Sequence, residues 1–211
     1  MPRKLLVLGA TGGTGREVVA QALGRGHAVT VLVRDPVRLG DHASRVSVVV
    51  GSLPDDTAAL AEALRGQDAV ISALGIGTSF RSHGLIGLTM PVLIAAMQAC
   101  GVSRIVVCSA AGVGDTLRSH STLGRVFART LLRDIFADKK VGEDALRASA
   151  LEWTIAYPTL LTNGPRTGNY RAAERMTLHG APSISRADVA DFLVRQVGDH
   201  ANVRRGVIIT S

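Results

Sequence analysis

Across 211 residues, 46% of side chains are apolar, 19% are charged and the formal net charge is +7. This balance excludes a disordered chain, and the length suits a single domain over residues 1–211 with a substantial core. No apolar stretch approaches the ~20 residues that span a bilayer, and the two cysteines, Cys100 and Cys108, exclude a disulfide framework. No membrane attachment is therefore expected, and the cytoplasm is the expected location. Basic residues are spread along the chain, with only one Trp, two Tyr and four Phe to stack on bases, so no nucleic-acid partner is expected either.

The first strand is predicted at 4–8, where Leu5, Leu6, Val7 and Leu8 run without polar alternation. Gly9-Ala10-Thr11-Gly12-Gly13-Thr14-Gly15 follows, then a helical stretch at 16–23 and a second strand at 28–33. Further strands are expected at 46–50, 69–73, 104–108, 152–157 and 206–209, each dense in Val, Ile and Leu as in parallel strands covered on both faces. Helices are expected at 57–64, 85–99, 123–148 and 186–197, the last with Ser185 as N-cap and Asp188 just inside it. Strand and helix alternate with short connections and no internal repeat. The fold class is α/β, a Rossmann-type doubly wound parallel sheet that binds ligands at the carboxyl ends of its strands.

A strand that ends in such a glycine turn and opens into a helix is suited to the pyrophosphate of a dinucleotide. Gly9 permits a sharp turn, Gly12 removes the Cβ that would block the phosphates, and Gly15 lets the helix lie close to the sheet. Free N–H groups near Thr14 and Gly15, together with the helix dipole, then favour the anion. After the second strand stands Arg34, which offers N–H groups to a 2′-phosphate, with Arg38 as a second contact. NADP is therefore the expected cofactor; the neighbouring Asp35 leaves NAD open. Leu53, in Gly51-Ser52-Leu53, and Leu74-Gly75 end the third and fourth strands, where they would line the same cleft.

Several longer segments carry a resemblance over nearly the whole chain: GATGGTG from Gly9, VTVLVRDPVRL ending at Leu39, QDAVISALG ending at Gly75 and RIVVCSAAGV from Arg104. LEWTIAYPTLLTNGPRTGNYR from Leu151 and ISRADVADFLVRQ from Ile184 extend it. The chain resembles the atypical, NAD(P)-binding branch of the short-chain dehydrogenase/reductase superfamily, in particular its NADPH-dependent flavin reductase/biliverdin reductase B type and its NmrA-like members. The resemblance implies that Gly9, Thr11, Gly12, Gly13, Thr14 and Gly15 cradle the pyrophosphate and that Arg34 and Arg38 bind the 2′-phosphate end. It implies that Leu53, Leu74 and Gly75 lie along the adenosine and that Cys108 and Ser109 close the fifth strand beside the nicotinamide. Pro158, Thr159 and Leu160 then match the loop over the nicotinamide ribose and amide.

Typical members of that superfamily place a tyrosine one helical turn before a lysine, which lowers a phenol pKa of about 10 toward neutrality. Here Lys139 takes the lysine position with Ile135 at the tyrosine position; the other alignment pairs Lys140 with Phe136, and neither supplies a hydroxyl. The flavin and biliverdin reductases of the branch also lack that tyrosine. The resemblance thus implies an oxidoreductase that moves hydride from NADPH to a flat conjugated small-molecule acceptor (flavin, quinone or tetrapyrrole-like), as a monomer or weak homodimer. A non-catalytic NADP(H) sensor of the NmrA type and a sugar-nucleotide epimerase are the alternatives.

Ser109 is the candidate hydroxyl for substrate or nicotinamide amide, and Lys139 the candidate for the nicotinamide ribose. Cys108 reads as packing. His83 and His120 lie in loops near the expected substrate mouth, as surface histidines or as proton sources. Phe80, in the lip 79–84, is placed to stack on a flat substrate, and 112–123 reads as a second lip. No spacing of His, Cys, Asp and Glu suggests a metal ligand set, so none is expected.

Overall fold

A computed structural model describes residues 1–75, 83–114, 116 and 133–211. The described elements are β1 (Lys4–Leu8), α1 (Gly13–Gly24), β2 (Ala28–Val33), a 3₁₀ segment (Pro36–Arg45), β3 (Ser47–Val50), α2 (Thr57–Leu64) and β4 (Ala69–Ser72). They continue with α3 (Leu85–Ala99), β5 (Arg104–Cys108), α4 (Arg133–Ala148), β6 (Glu152–Pro158), β7 (Leu160–Thr162), β8 (Arg171–Ala173), β9 (Ser183–Ser185), α5 (Arg186–Gln196) and β10 (Arg205–Thr210).

The main sheet runs β3-β2-β1-β4-β5-β6-β10-β8, and every pairing in it is parallel except β10 with β8. Strand order reverses beside β1, which pairs with β2 on one edge and β4 on the other. That reversal opens a crevice at the carboxyl ends of β1 and β4, where doubly wound sheets take their ligands.

Alternation within β1 builds both layers of the core. Leu5 and Val7 pack with Val18, Val19 and Ala22 of α1 and with Val189 and Phe192 of α5. Leu6 and Leu8 face the opposite side, against Leu60 and Leu64 of α2 and Leu93 and Met97 of α3. Because both faces are covered, the central strands carry no polar alternation. Among the described residues no helix is long and apolar enough to cross a membrane.

Each strand expected from the sequence is present within about a residue of its predicted ends. Three were not expected: β7, β8 and β9, each of three residues. Such segments are too short for a period to show, and they form by tertiary pairing: β7 lies parallel to β9, and β8 caps the sheet edge antiparallel to β10. The first helix begins at Gly13 rather than 16, because its opening glycines carry no apolar pattern. The predicted helix 123–148 is described from Arg133 onward.

α4 is tied to α3 by a cap from another element. The Asp138 carboxylate, only 8% exposed, accepts from the backbone N–H groups of Ile86 at 3.1 Å and Gly87 at 2.7 Å. These are orphan donors in the first turn of α3, whose own N-cap, Gly84, has no side chain to offer. Asp138→Ala is expected to cost about 2–3 kcal/mol in urea unfolding; a change below about 0.5 kcal/mol would mean that water replaces the cap.

Candidate active site

At the end of β1 the backbone turns through Gly9, whose φ of +77° is open to glycine at little cost. A Cβ on Gly9 would fall 2.5 Å from the Ala73 carbonyl oxygen, and one on Gly15 would fall 2.0 Å from the Gly9 carbonyl oxygen. Both glycines are therefore demanded by the protein's own packing. Gly12 differs: a Cβ there meets only Gly9 O, at 3.4 Å, and Gly12 and Gly13 are exposed. Gly12 N donates to Gly9 O at 3.0 Å, which closes the turn. The first turn of α1 has neither a side-chain cap nor an acidic residue, so its positive end is left uncompensated by the protein and faces the crevice.

Beside this turn, Thr11, Arg34, Asp35 and Arg38 line a pocket of about 370 Å³. Both arginines are exposed there. The Asp35 carboxylate accepts from Val37 N–H at 3.0 Å as N-cap of the 3₁₀ segment. One of its oxygens is thus engaged in a local cap, and it lines the pocket together with the two guanidinium groups. Leu53 and Leu74 pack at the edge of the same core cluster, beneath the far side of the crevice. Gly75 is exposed, and a Cβ there would meet nothing within 4 Å, so protein packing does not require its glycine.

At the end of β5, Cys108 and Ser109 are buried, at 8% and 7% exposure. Ser109 Oγ donates to Glu143 Oε1 at 2.5 Å, and Tyr157 Oη donates to Glu143 Oε2 at 2.6 Å. Arg147 donates to Tyr157 Oη at 2.6 Å and stands 3.7 Å from the same carboxylate. Glu143 lies one helical turn beyond Lys139 on α4, so both residues share a face. Burial raises the Cys108 thiol pKa, and the Lys139 ammonium partly offsets it. The Ser109–Glu143 bond ties the end of β5 to the helix that carries Lys139. Glu143, Arg147 and Tyr157 were not predicted as site residues; a carboxylate one turn after Lys139 was the only local signal.

Both tyrosines are held as phenols. Burial, with Glu143 beside Tyr157 and Asp191 beside Tyr170, pushes each pKa well above the usual phenolic value. Of the loop residues expected over the nicotinamide, Pro158 and Thr159 are buried, and Thr159 Oγ1 bonds Thr210 Oγ1 at 3.1 Å. Leu160, at 67% exposure, is the one that presents its side chain outward. His83 is exposed, with φ of +51°. Phe80, His120, residues 79–82 and most of 112–123 lie outside the described residues.

α5 anchors the segment after β7. Ser185 is the N-cap, as its sequence position predicts, accepting from Asp188 N–H at 2.9 Å. Asp188, 1% exposed, accepts from Thr167 N–H and Gly168 N–H at 2.8 Å each and from Thr167 Oγ1 at 2.9 Å. Burial works to raise its pKa, but these donors outweigh it and hold the carboxyl below its ordinary value of 3.8. A depressed folded pKa means that the stabilisation is complete above 3.8 and is lost as pH falls through the lower folded value. Asp188→Asn is expected to cost about 2–4 kcal/mol at neutral pH. The deficit relative to wild type should shrink on acidification, followed by urea unfolding at stepped pH; a deficit that does not change with pH would rule out this origin.

Comparison with known proteins agrees with this geometry. A protein-family model described as NAD(P)H-binding matches residues 9–200. The chain belongs to the NAD(P)H-binding family. An uncharacterized chloroplastic protein of Arabidopsis thaliana is 31% identical to this NAD(P)H-binding protein over 207 residues, covering 91% of the chain and 71% of the relative. The (4-alkanoyl-5-oxo-2,5-dihydrofuran-3-yl)methyl phosphate reductase of Streptomyces griseus is 31% identical over 190 residues, or 90% of the chain and 55% of that enzyme's length. Among solved structures, a short-chain dehydrogenase/reductase from Veillonella parvula in complex with NADP superposes with a TM-score of 0.83 at 21% identity, over 100% of this chain and 95% of that one.

The residues of the NAD(P)H-binding protein fit a dinucleotide. Glycines leave an exposed turn at an uncapped helix start, and arginines line a pocket alongside.

Proposed function

We propose that the protein is an NADPH-dependent reductase of a flat, conjugated small-molecule acceptor such as a flavin, a quinone or a tetrapyrrole-like ring. In this reading residues 1–211 form one NAD(P)-binding domain. The observation that carries the cofactor choice is the pocket in which the exposed Arg34 and Arg38 form no ion pair among the described residues, with Asp35 beside them placing one oxygen on Val37 N–H. Two guanidinium groups against one carboxylate favour a 2′-phosphate over a bare ribose 2′-hydroxyl.

When bound, NADPH supplies the hydride. The chain's own residues position and orient. Gly13 and Thr14 offer backbone N–H groups to the diphosphate, with Gly9, Thr11, Gly12 and Gly15 shaping the turn. Leu53, Leu74 and Gly75 border the adenosine. Cys108, Pro158, Thr159 and Leu160 frame the nicotinamide end, and Lys139 donates to its ribose. Ser109 commits its proton to Glu143, so its remaining lone pairs accept an N–H from the nicotinamide amide or from the acceptor ring. No tyrosine stands one turn before Lys139, where Ile135 lies, and Tyr157 is engaged with Glu143. The proton comes from water, as suits an electron-poor ring that needs alignment more than acid catalysis. The Streptomyces griseus relative, named as a reductase of a phosphorylated oxo-dihydrofuran, supports a reductase acting on a small ring.

Steady-state oxidation of NADPH with riboflavin, FMN, a quinone and a linear tetrapyrrole tests the reading. Turnover with at least one acceptor is expected. Tight binding of NADPH without turnover on the whole panel would overturn it in favour of a redox sensor.

A further inference from the structure

Arg186 opens α5, far from the glycine turn in sequence, yet its side chain lies across that turn. A Cβ built on Gly13 would fall 2.9 Å from both Cδ and Nε of Arg186. The arginine thus occupies the space into which a side chain at position 13 would project; a flexible side-chain end can give way, so the contact records proximity and does not itself require glycine there. Its Nη1 donates to the neutral Asn163 Oδ1 at 2.6 Å, and among the described residues it forms no ion pair.

That placement is electrostatically unfavourable as it stands. Gly13 is the first residue of α1, so a guanidinium group is held against the positive end of a helix that has no acidic residue in its first turn. Like charges are brought together when the arginine, half-buried and flexible, has solvent to turn to. An anion between them turns the repulsion into a shared attraction. We infer that Arg186 is a further cofactor-binding residue, which reaches from α5 over Gly13 to neutralise the diphosphate, with Asn163 fixing its angle. The neighbouring acids do not compete for it: Asp188 is engaged by Thr167, Gly168 and Ser185, and Asp191 by Arg25, Arg166, Arg195 and Tyr170. The inference rests on the nucleotide-binding reading above and adds a residue to it.

Calorimetry on the full chain separates the two. NADPH carries the diphosphate; adenosine 2′-monophosphate presents only the 2′-phosphate end. Arg186→Ala is expected to weaken NADPH binding about 10- to 100-fold, and to change adenosine 2′-monophosphate binding less than about twofold. Arg186→Lys should recover a large part of the loss, because the charge returns without the fork. The salt dependence of NADPH affinity should flatten in Arg186→Ala and not in Arg186→Lys. Wild-type protein that takes up no pyridine nucleotide would sink the function and this assignment together. Wild-type affinity for NADPH in Arg186→Ala would sink the assignment alone, as would an equal loss for both ligands, which would mark a collapsed site.

Discussion

Replacing both Arg34 and Arg38 by alanine is expected to raise the dissociation constant for NADPH about 100- to 1,000-fold and to leave NADH within about threefold. Each charge-assisted contact to a phosphate contributes about 1.5–3 kcal/mol, and each 1.4 kcal/mol is about tenfold in affinity. Both side chains are exposed and line the pocket with Thr11, so their removal disturbs little of the fold. Arg34→Ala alone should produce the larger single effect, since Arg34 directly follows β2 at the crevice. The Asp35 cap on Val37 N–H is untouched by either change, which keeps the 3₁₀ segment in place. Direct titration of each nucleotide checks the result. If the ratio of the two affinities moves by less than about threefold, the arginines do not read the 2′-phosphate and NAD becomes the better assignment.

The glycine turn allows a contrast between two neighbouring alanine substitutions. In Gly15→Ala the new methyl falls 2.0 Å from the Gly9 carbonyl oxygen, a backbone atom that cannot move without shifting β1 or α1. A loss of about 2–5 kcal/mol in stability is expected, together with loss of nucleotide binding. In Gly12→Ala the methyl has only Gly9 O at 3.4 Å as neighbour, and Gly12 has φ of −79°, which alanine adopts freely. The free protein should therefore keep its melting temperature within about a degree or two. NADPH should nonetheless bind at least about tenfold more weakly, because the methyl occupies space that the diphosphate needs. Thermal unfolding with and without NADPH reads both terms at once. A Gly12→Ala protein that is stabilised by NADPH as fully as wild type would show that the phosphates do not approach this turn.

Most of the scaffold was readable before any coordinates because its signals are local. Leu5 to Leu8 declare a buried strand by composition alone, and Thr57–Leu64 and Leu85–Ala99 declare helices by length and periodicity. The candidate site divides along a similar line. Arg34, Arg38 and the glycine turn lie within one βαβ unit, which brings Thr11 of that turn to the two arginines around one pocket. Ser109 was found from its position at a strand end, but its partner was not, because Glu143 is 34 residues away on another element.

A parallel α/β sheet, a glycine-rich turn between its first strand and helix, and two arginines at the end of the second strand are all legible in the order of residues alone. Those features depend on backbone preferences and on neighbours a few positions apart, which a linear string of residues contains. The packing of distant elements sets which hydroxyl faces which carboxylate, that β8 closes the sheet antiparallel, and that Arg186 lies over Gly13. Each of these follows from the angle at which separate elements pack, and that angle is fixed by the shape of the whole core rather than by any single segment.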